Sequence, residues 1–104
     1  MSPESEIWPS VLEILRGELR DTTFNLWFGD LVLQKLVDDK AYLQTPNLFK
    51  KKTIETKFMD QLKSAFENVM GFEIIPYVIS TESESFETQY FNLIEKEAQE
   101  KGRT

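Results

Sequence analysis

One apolar stripe constrains this chain more than any other feature. Ile54, Phe58, Leu62, Ala65, Phe66 and Val69 recur three or four residues apart and are followed by Gly71. That spacing sets all six side chains on one side of an α-helix, and such a face has to be buried. Asn47 can cap the start of the helix and Gly71 its end. Immediately after it, Phe72 to Ile79 is strongly β-prone, so a strand follows.

Two further helices are expected upstream. Ile7, Val11, Leu12, Leu15 and Leu19 recur at helical spacing with Glu13, Arg16 and Glu18 between them. Ser5 serves as a cap for this first helix, which places Pro9 in or near its first turn. A second, shorter helix starts at Asp21 or Thr22, sets Phe24, Trp27 and Phe28 on one face, and ends at Gly29. From Leu31 the period becomes two, with Leu31, Leu33 and Lys35 pointing one way and Val32, Gln34 and Leu36 the other. Asp38-Asp39-Lys40 is a turn, Ala41 to Thr45 is a second strand of a hairpin, and Pro46 stops it.

The resulting order, α-α-β-β-α-β over residues 1–80, describes a small α+β domain with helices packed on a three-stranded sheet. Residues 81–104 read as an acidic linker and tail. Within the tail, Phe86, Tyr90, Phe91 and Ile94 give a short helix an apolar face that docks on this domain or on another chain.

Composition excludes several kinds of chemistry. The 104 residues contain no cysteine and no histidine, which removes thiolate nucleophiles, disulfides, the commonest neutral-pH base and the commonest transition-metal ligand. Carboxylates such as Asp38, Asp39 and Glu55 show no pairing suited to acid–base work. No catalytic residue, cofactor or metal is therefore expected, and the protein is not expected to be an enzyme. Net charge is −6, a sign that repels phosphate and argues against non-specific DNA binding as the main task. The longest apolar runs fall far short of the ~20 residues that span a bilayer, and the N-terminus carries acid where a secretory signal carries base. A cytoplasmic protein is expected.

Specific residues then point to a family. Ile7-Trp8 followed by Val11-Leu12, Phe24-x-x-Trp27, Pro46-Asn47-Leu48-Phe49 and Lys57-Phe58 occur in the order and spacing of the N-terminal domain of the bacterial replication initiator DnaA. The resemblance covers roughly residues 5 to 80. It implies a K homology-like fold and a domain for self-association, recruitment of the replicative helicase and binding of regulators, with weak single-stranded DNA contact in some members. It assigns self-association to Ile7 and Trp8, and helicase or regulator contact to Thr23, Asn47 and Phe49. Thr45 departs mildly from the family's Ala. Thr23 replaces a Glu that some members use toward the helicase, and Lys50-Lys51-Lys52-Thr53 stands where the family often has Asp-Trp. The chain has no phosphate-cradling Gly-x-x-x-x-Gly-Lys loop, so it is either a fragment of an initiator or a free-standing relative.

Several residues carry two readings. Trp8 either anchors an interface or closes the core end of the first helix, whereas Ile7 and Leu12 favour the core. Phe49 either staples the start of its helix or stands out as a partner contact. Lys50, Lys51 and Lys52 either contact phosphate or form a solvated face, and Tyr42 either packs across the hairpin or stacks a base. The rival functional reading is a single-stranded nucleic-acid-binding module, although the Gly-x-x-Gly clamp of K homology domains is missing.

Overall fold

A computed structural model describes residues 3–101. The chain runs α1 (Pro3–Glu18), α2 (Asp21–Phe28), β1 (Val32–Val37), β2 (Lys40–Thr45), α3 (Leu48–Thr53), a π turn (Ile54–Phe58), α4 (Met59–Met70), β3 (Ile75–Ser80) and α5 (Phe86–Lys101). The α+β class and the order of the first six expected elements agree with the sequence. β2 is central, antiparallel to β1 and parallel to β3. Two parallel strands require a long crossover, and the helix between Leu48 and Met70 provides it.

One face of the sheet, with Leu33, Ala41, Leu43 and Val78, meets Val11 and Leu15 of α1, Phe24 and Phe28 of α2, and the stripe Ile54, Leu62, Ala65 and Phe66; all are buried. Phe58 and Val69 complete the stripe at its half-buried margin. Asn47 caps as expected, its side chain accepting from the Lys50 N–H at 2.8 Å. Gly71 ends α4 in the left-handed region, at φ 83°, where a Cβ is unfavourable.

The long helix is not uniform, however. Residues 54, 58, 62 and 66 are strictly four apart, a spacing that drifts about 40° per step around a regular helix. The wider π turn from Ile54 to Phe58 takes up one such step, keeping Ile54 and Leu62 both turned to the core. α1 also differs from expectation. It begins at Pro3, so Ser5 lies inside the helix, and Pro9 falls beyond the first turn on the exposed side. Glu4 and Glu6 occupy the first turn, where negative charge is favoured. Neither Asp21 nor Thr22 caps α2; that position belongs to Arg20, without a side-chain bond. Gly29 follows the last residue of α2 as its C-cap, in the right-handed rather than the left-handed region, and a Cβ there would stand 2.3 Å from the Asn25 carbonyl oxygen.

In β1 the alternation breaks. The register shifts between Leu33 and Lys35, a bulge that turns Leu36 to the same core as Leu31 and Leu33 and Lys35 to the opposite face. β3 is shorter than the β-prone run, starting at Ile75 and leaving Phe72 exposed.

The second face of the sheet is covered as well. Tyr42 and Ile79 are buried beneath Phe86 of α5, with Tyr77, Tyr90 and Leu93 packed around them. Tyr42 stacks on Tyr77 at 5.2 Å and meets the Tyr90 ring edge-on at 4.8 Å. Lys40 reaches Glu97 of α5 at 3.2 Å. The tail helix expected from the apolar residues after Phe86 thus extends to Lys101 and docks on its own sheet through Phe86, Tyr90 and Leu93, whereas Phe91 and Ile94, also expected to dock, lie on its outer side and stay exposed.

Two predictions follow from this packing. The Trp8 ring is 8% exposed and stacks on Phe66 at 6.0 Å, so Trp8→Ala should lower unfolding free energy by about 3 kcal/mol in a denaturant titration; unchanged stability would mean the ring is not in the core. Alkaline pH should release α5. Its hydrogen bond with Glu97 raises the Lys40 pKa, and burial pushes the Tyr42 hydroxyl up. The protonated forms of both groups therefore favour the folded state. Their contribution is complete below the ordinary values, 10.5 and 10.0, and is lost as pH rises through the raised ones. Aromatic NMR signals of Tyr42 and Tyr90 should lose their packed-state shifts above pH 10 before the α1–α4 core melts; simultaneous loss would contradict this.

Candidate interaction surface

A chain of rings leads from the core to solvent between α2 and α3. Phe24 and Phe28 are buried and 6.0 Å apart, Phe28 meets Phe58 edge-on at 5.7 Å, Phe58 lies 6.2 Å from Trp27, and Trp27 lies 5.6 Å from Phe49. Phe49 closes the series at 72% exposure. Helical spacing explains the arrangement, since Phe24, Trp27 and Phe28 lie three or four apart and share one side of α2. Thr23, four residues before Trp27 and half-buried, borders the outer part of the same face. An exposed ring whose back rests on a second, half-buried ring presents apolar surface in a fixed position, the form that interface anchors take.

Polar contacts hold the start of α3 in place. Lys50 Nζ donates to Asp30 Oδ2 at 2.6 Å, tying α3 to the end of α2 across 20 residues of sequence. Asn47 accepts from the Lys50 backbone, and Glu82 Oε1 accepts from the Leu48 N–H at 3.3 Å. The exposed position of Phe49 is therefore built, with helix capping on one side and an ion pair on the other.

The structure brings together some of the expected site residues and separates others. Thr23, Asn47, Phe49 and Lys50 converge on this surface, joined through Trp27 and Asp30. Asn47 acts there as a cap. Ile7 and Trp8 lie on α1, with Ile7 half-buried against the core; of the two readings of Trp8 the ring takes the core one, stacked on Phe66. Of the three lysines, Lys50 is held by Asp30 and Lys51 by Glu55 at 3.0 Å, while Lys52 is exposed and makes no ion pair among the described residues. Two ammonium groups that phosphate contact would need are thus already engaged. Tyr42 is 3% exposed beneath α5, so cross-strand packing accounts for it. Among the described residues no cluster of carboxylates suited to a metal occurs, and no helix is long and apolar enough to cross a membrane. Neither Asp30 nor the contact of Trp27 with the exposed Phe49 is legible in the sequence: the 20-residue separation hides the ion pair, and a lone Trp on an amphipathic helix reads as core.

Residues 5–68 match the family model of the DnaA N-terminal domain. The chain is 30% identical over 81 residues to a chromosomal replication initiator protein DnaA of Thermodesulfovibrio yellowstonii, covering 77% of this chain and 18% of the relative. It is 31% identical over 83 residues to that of Borreliella afzelii, covering 80% and 17%, and 28% identical to that of Borrelia garinii, covering 100% and 23%. It therefore spans 17% to 23% of the length of these relatives. The family match includes the whole ring series and the α3 start.

Removing the ion pair should loosen this surface without unfolding the domain. Asp30→Ala should cost up to about 1 kcal/mol, with amide exchange quickening at Leu48 to Lys51 while Leu62 and Phe66 keep their protection. Equal protection throughout would show that capping alone holds α3.

Proposed function

Since this chain belongs to the DnaA N-terminal domain family, we propose that it is the protein-interaction domain of a DNA replication initiator, joining initiator copies, recruiting the replicative helicase and receiving regulatory proteins. The exposed Phe49 ring backed by Trp27 carries this reading, because it offers a partner a rigid apolar anchor with a polar margin at Thr23, Asp30 and Lys50. The domain performs no reaction and needs no cofactor. It works in the bacterial cytoplasm by bringing other proteins together.

Effective concentration is the mechanism. A single small patch binds weakly, but several copies aligned along an origin present several patches at once, and the combined affinity far exceeds that of one. For self-association we assign the flank of α1 around Ile7 rather than the Trp8 ring. Beside that flank a shallow groove of about 360 Å³ runs between α1 and β1, lined by Trp8, Pro9, Val32 and Gln34 among others but not by Ile7, so the Ile7 assignment rests on the resemblance and on its half-buried position.

Titration of the isotope-labelled chain with the N-terminal domain of the replicative helicase tests the helicase role. Saturable amide shifts centred on Thr23, Trp27, Phe49 and Lys50 are expected. Absence of shifts at high helicase concentration would mean that the Thr23 departure has removed this partner.

A further inference from the structure

Cross-strand pairing shows how far α5 covers the second face of the sheet. Lys35 and Val37 of β1 lie opposite Tyr42 and Lys40 of β2, and opposite residues share a face. Tyr42 lies beneath α5 and Lys40 reaches Glu97 of that helix, so Lys35 and Val37 belong to the face that α5 occupies. Both are nevertheless exposed. A helix with its side chains is about 10 Å wide, the span of roughly two strands. Resting on β3 and β2, α5 leaves β1 bare.

The flank of α5 beside this gap is apolar. Leu93 borders the β3 side, and Tyr90, about 60° further around the helix, meets β1, with the Lys35 ammonium group 5.2 Å from its ring centre. In the same sense Ile94 follows after about 40° and Phe91 after about another 60°. The helix runs from its contact with Ser80 to its contact with Lys40. Four helical residues and two strand residues both advance about 6 Å, so Ile94, one turn beyond Tyr90, comes level with Val37. Phe91 is 64% exposed, and Ile94 and Val37 are exposed as well.

Charge determines what fits the gap. Lys35 makes no ion pair among the described residues. Glu87 and Glu95, four residues before and after Phe91, are exposed and make none either, while Lys96 is turned to the β3 side. The face therefore carries an unpaired base on β1, unpaired acids on α5, and apolar groups on both. Such a surface complements a copy of itself turned about a twofold axis. The gap is one helix wide, and α5 itself has the matching apolar flank and acidic margin.

We propose that two copies of this chain join through these faces, the α5 of each lying antiparallel beside the other's and over the other's bare β1. One register satisfies every contact. Setting Phe91 of one copy level with Ile94 of the other places it over Val37, and the same register sets Glu95 level with Tyr90, where it meets Lys35. The two helices form one layer between two sheets, at the 8–10 Å separation usual for packed helices. This contact uses neither Phe49 nor Trp27, and it does not rest on the assignment of self-association to the α1 flank around Ile7.

The absence of native cysteine makes the test direct. Whole chains carrying Val37→Cys are mixed with chains carrying Phe91→Cys and oxidised; the mixed disulfide dimer should exceed either homodimer. In sedimentation of the uncrosslinked chain, Lys35→Glu and Glu95→Lys should each weaken dimerisation by about fivefold, the double variant should restore it, and Phe49→Ala should leave it unchanged. The proposal is overturned by a single monomeric species up to about 1 mM, by homodimer crosslinks in place of the mixed one, or by a double variant no better than the single ones. A dimer indifferent to both charge reversals would also overturn it, and would leave self-association to the α1 flank.

Discussion

Ile54, Leu62, Ala65 and Phe66 have no exposed surface, and the position of every other element depends on keeping it so. Burying side chains of this kind contributes about 1.5–3 kcal/mol for each large one, and few other sources of that size exist in a chain without disulfides. The helix must cross the sheet to bury them. In crossing, it sets β3 parallel to β2 and offers Phe66 to the Trp8 ring, which fixes α1. It also carries Phe58 to the junction with α2, from which the ring series runs outward. The interaction surface is therefore an extension of the core.

Covering both faces of the sheet changes what the domain can do. An open sheet bearing Tyr42 and Tyr77 would be a platform for stacking bases. Here α5 occupies it through Phe86, Tyr90 and Leu93, with Lys40 and Glu97 at its margin. The proposed protein contacts therefore fall elsewhere, on the rim where α2 meets α3, on the flank of α1 around Ile7 and over β1 beside α5.

Much of this architecture is legible in the sequence because it rests on periodicity. The stripe from Ile54 to Val69, the cap at Asn47 and the stop at Gly71 depend on neighbours within a few residues, and local pattern reveals them. The bulge after Leu33 was not, since uniform alternation fits the same letters and only pairing with β2 reveals the extra residue. Trp8 shows a different limit: helical spacing places it beside the core, but whether its ring turns inward depends on space next to Phe66. The Asp30–Lys50 pair depends on a contact across 20 residues, for which local pattern carries no signal. Asp38 takes a positive φ of 56°, a conformation that Asp tolerates better than most residues, in keeping with the turn read there.

On this reading the Phe49 ring serves recognition and not stability. The most direct measurement compares wild type and Phe49→Ala for melting temperature and for binding to the N-terminal domain of the replicative helicase. An unchanged melting temperature is expected, because the ring is 72% exposed, together with loss of at least about tenfold in affinity, as for a residue that anchors an interface. Full binding by a variant with an unchanged melting temperature would contradict it, and would move recognition to another surface.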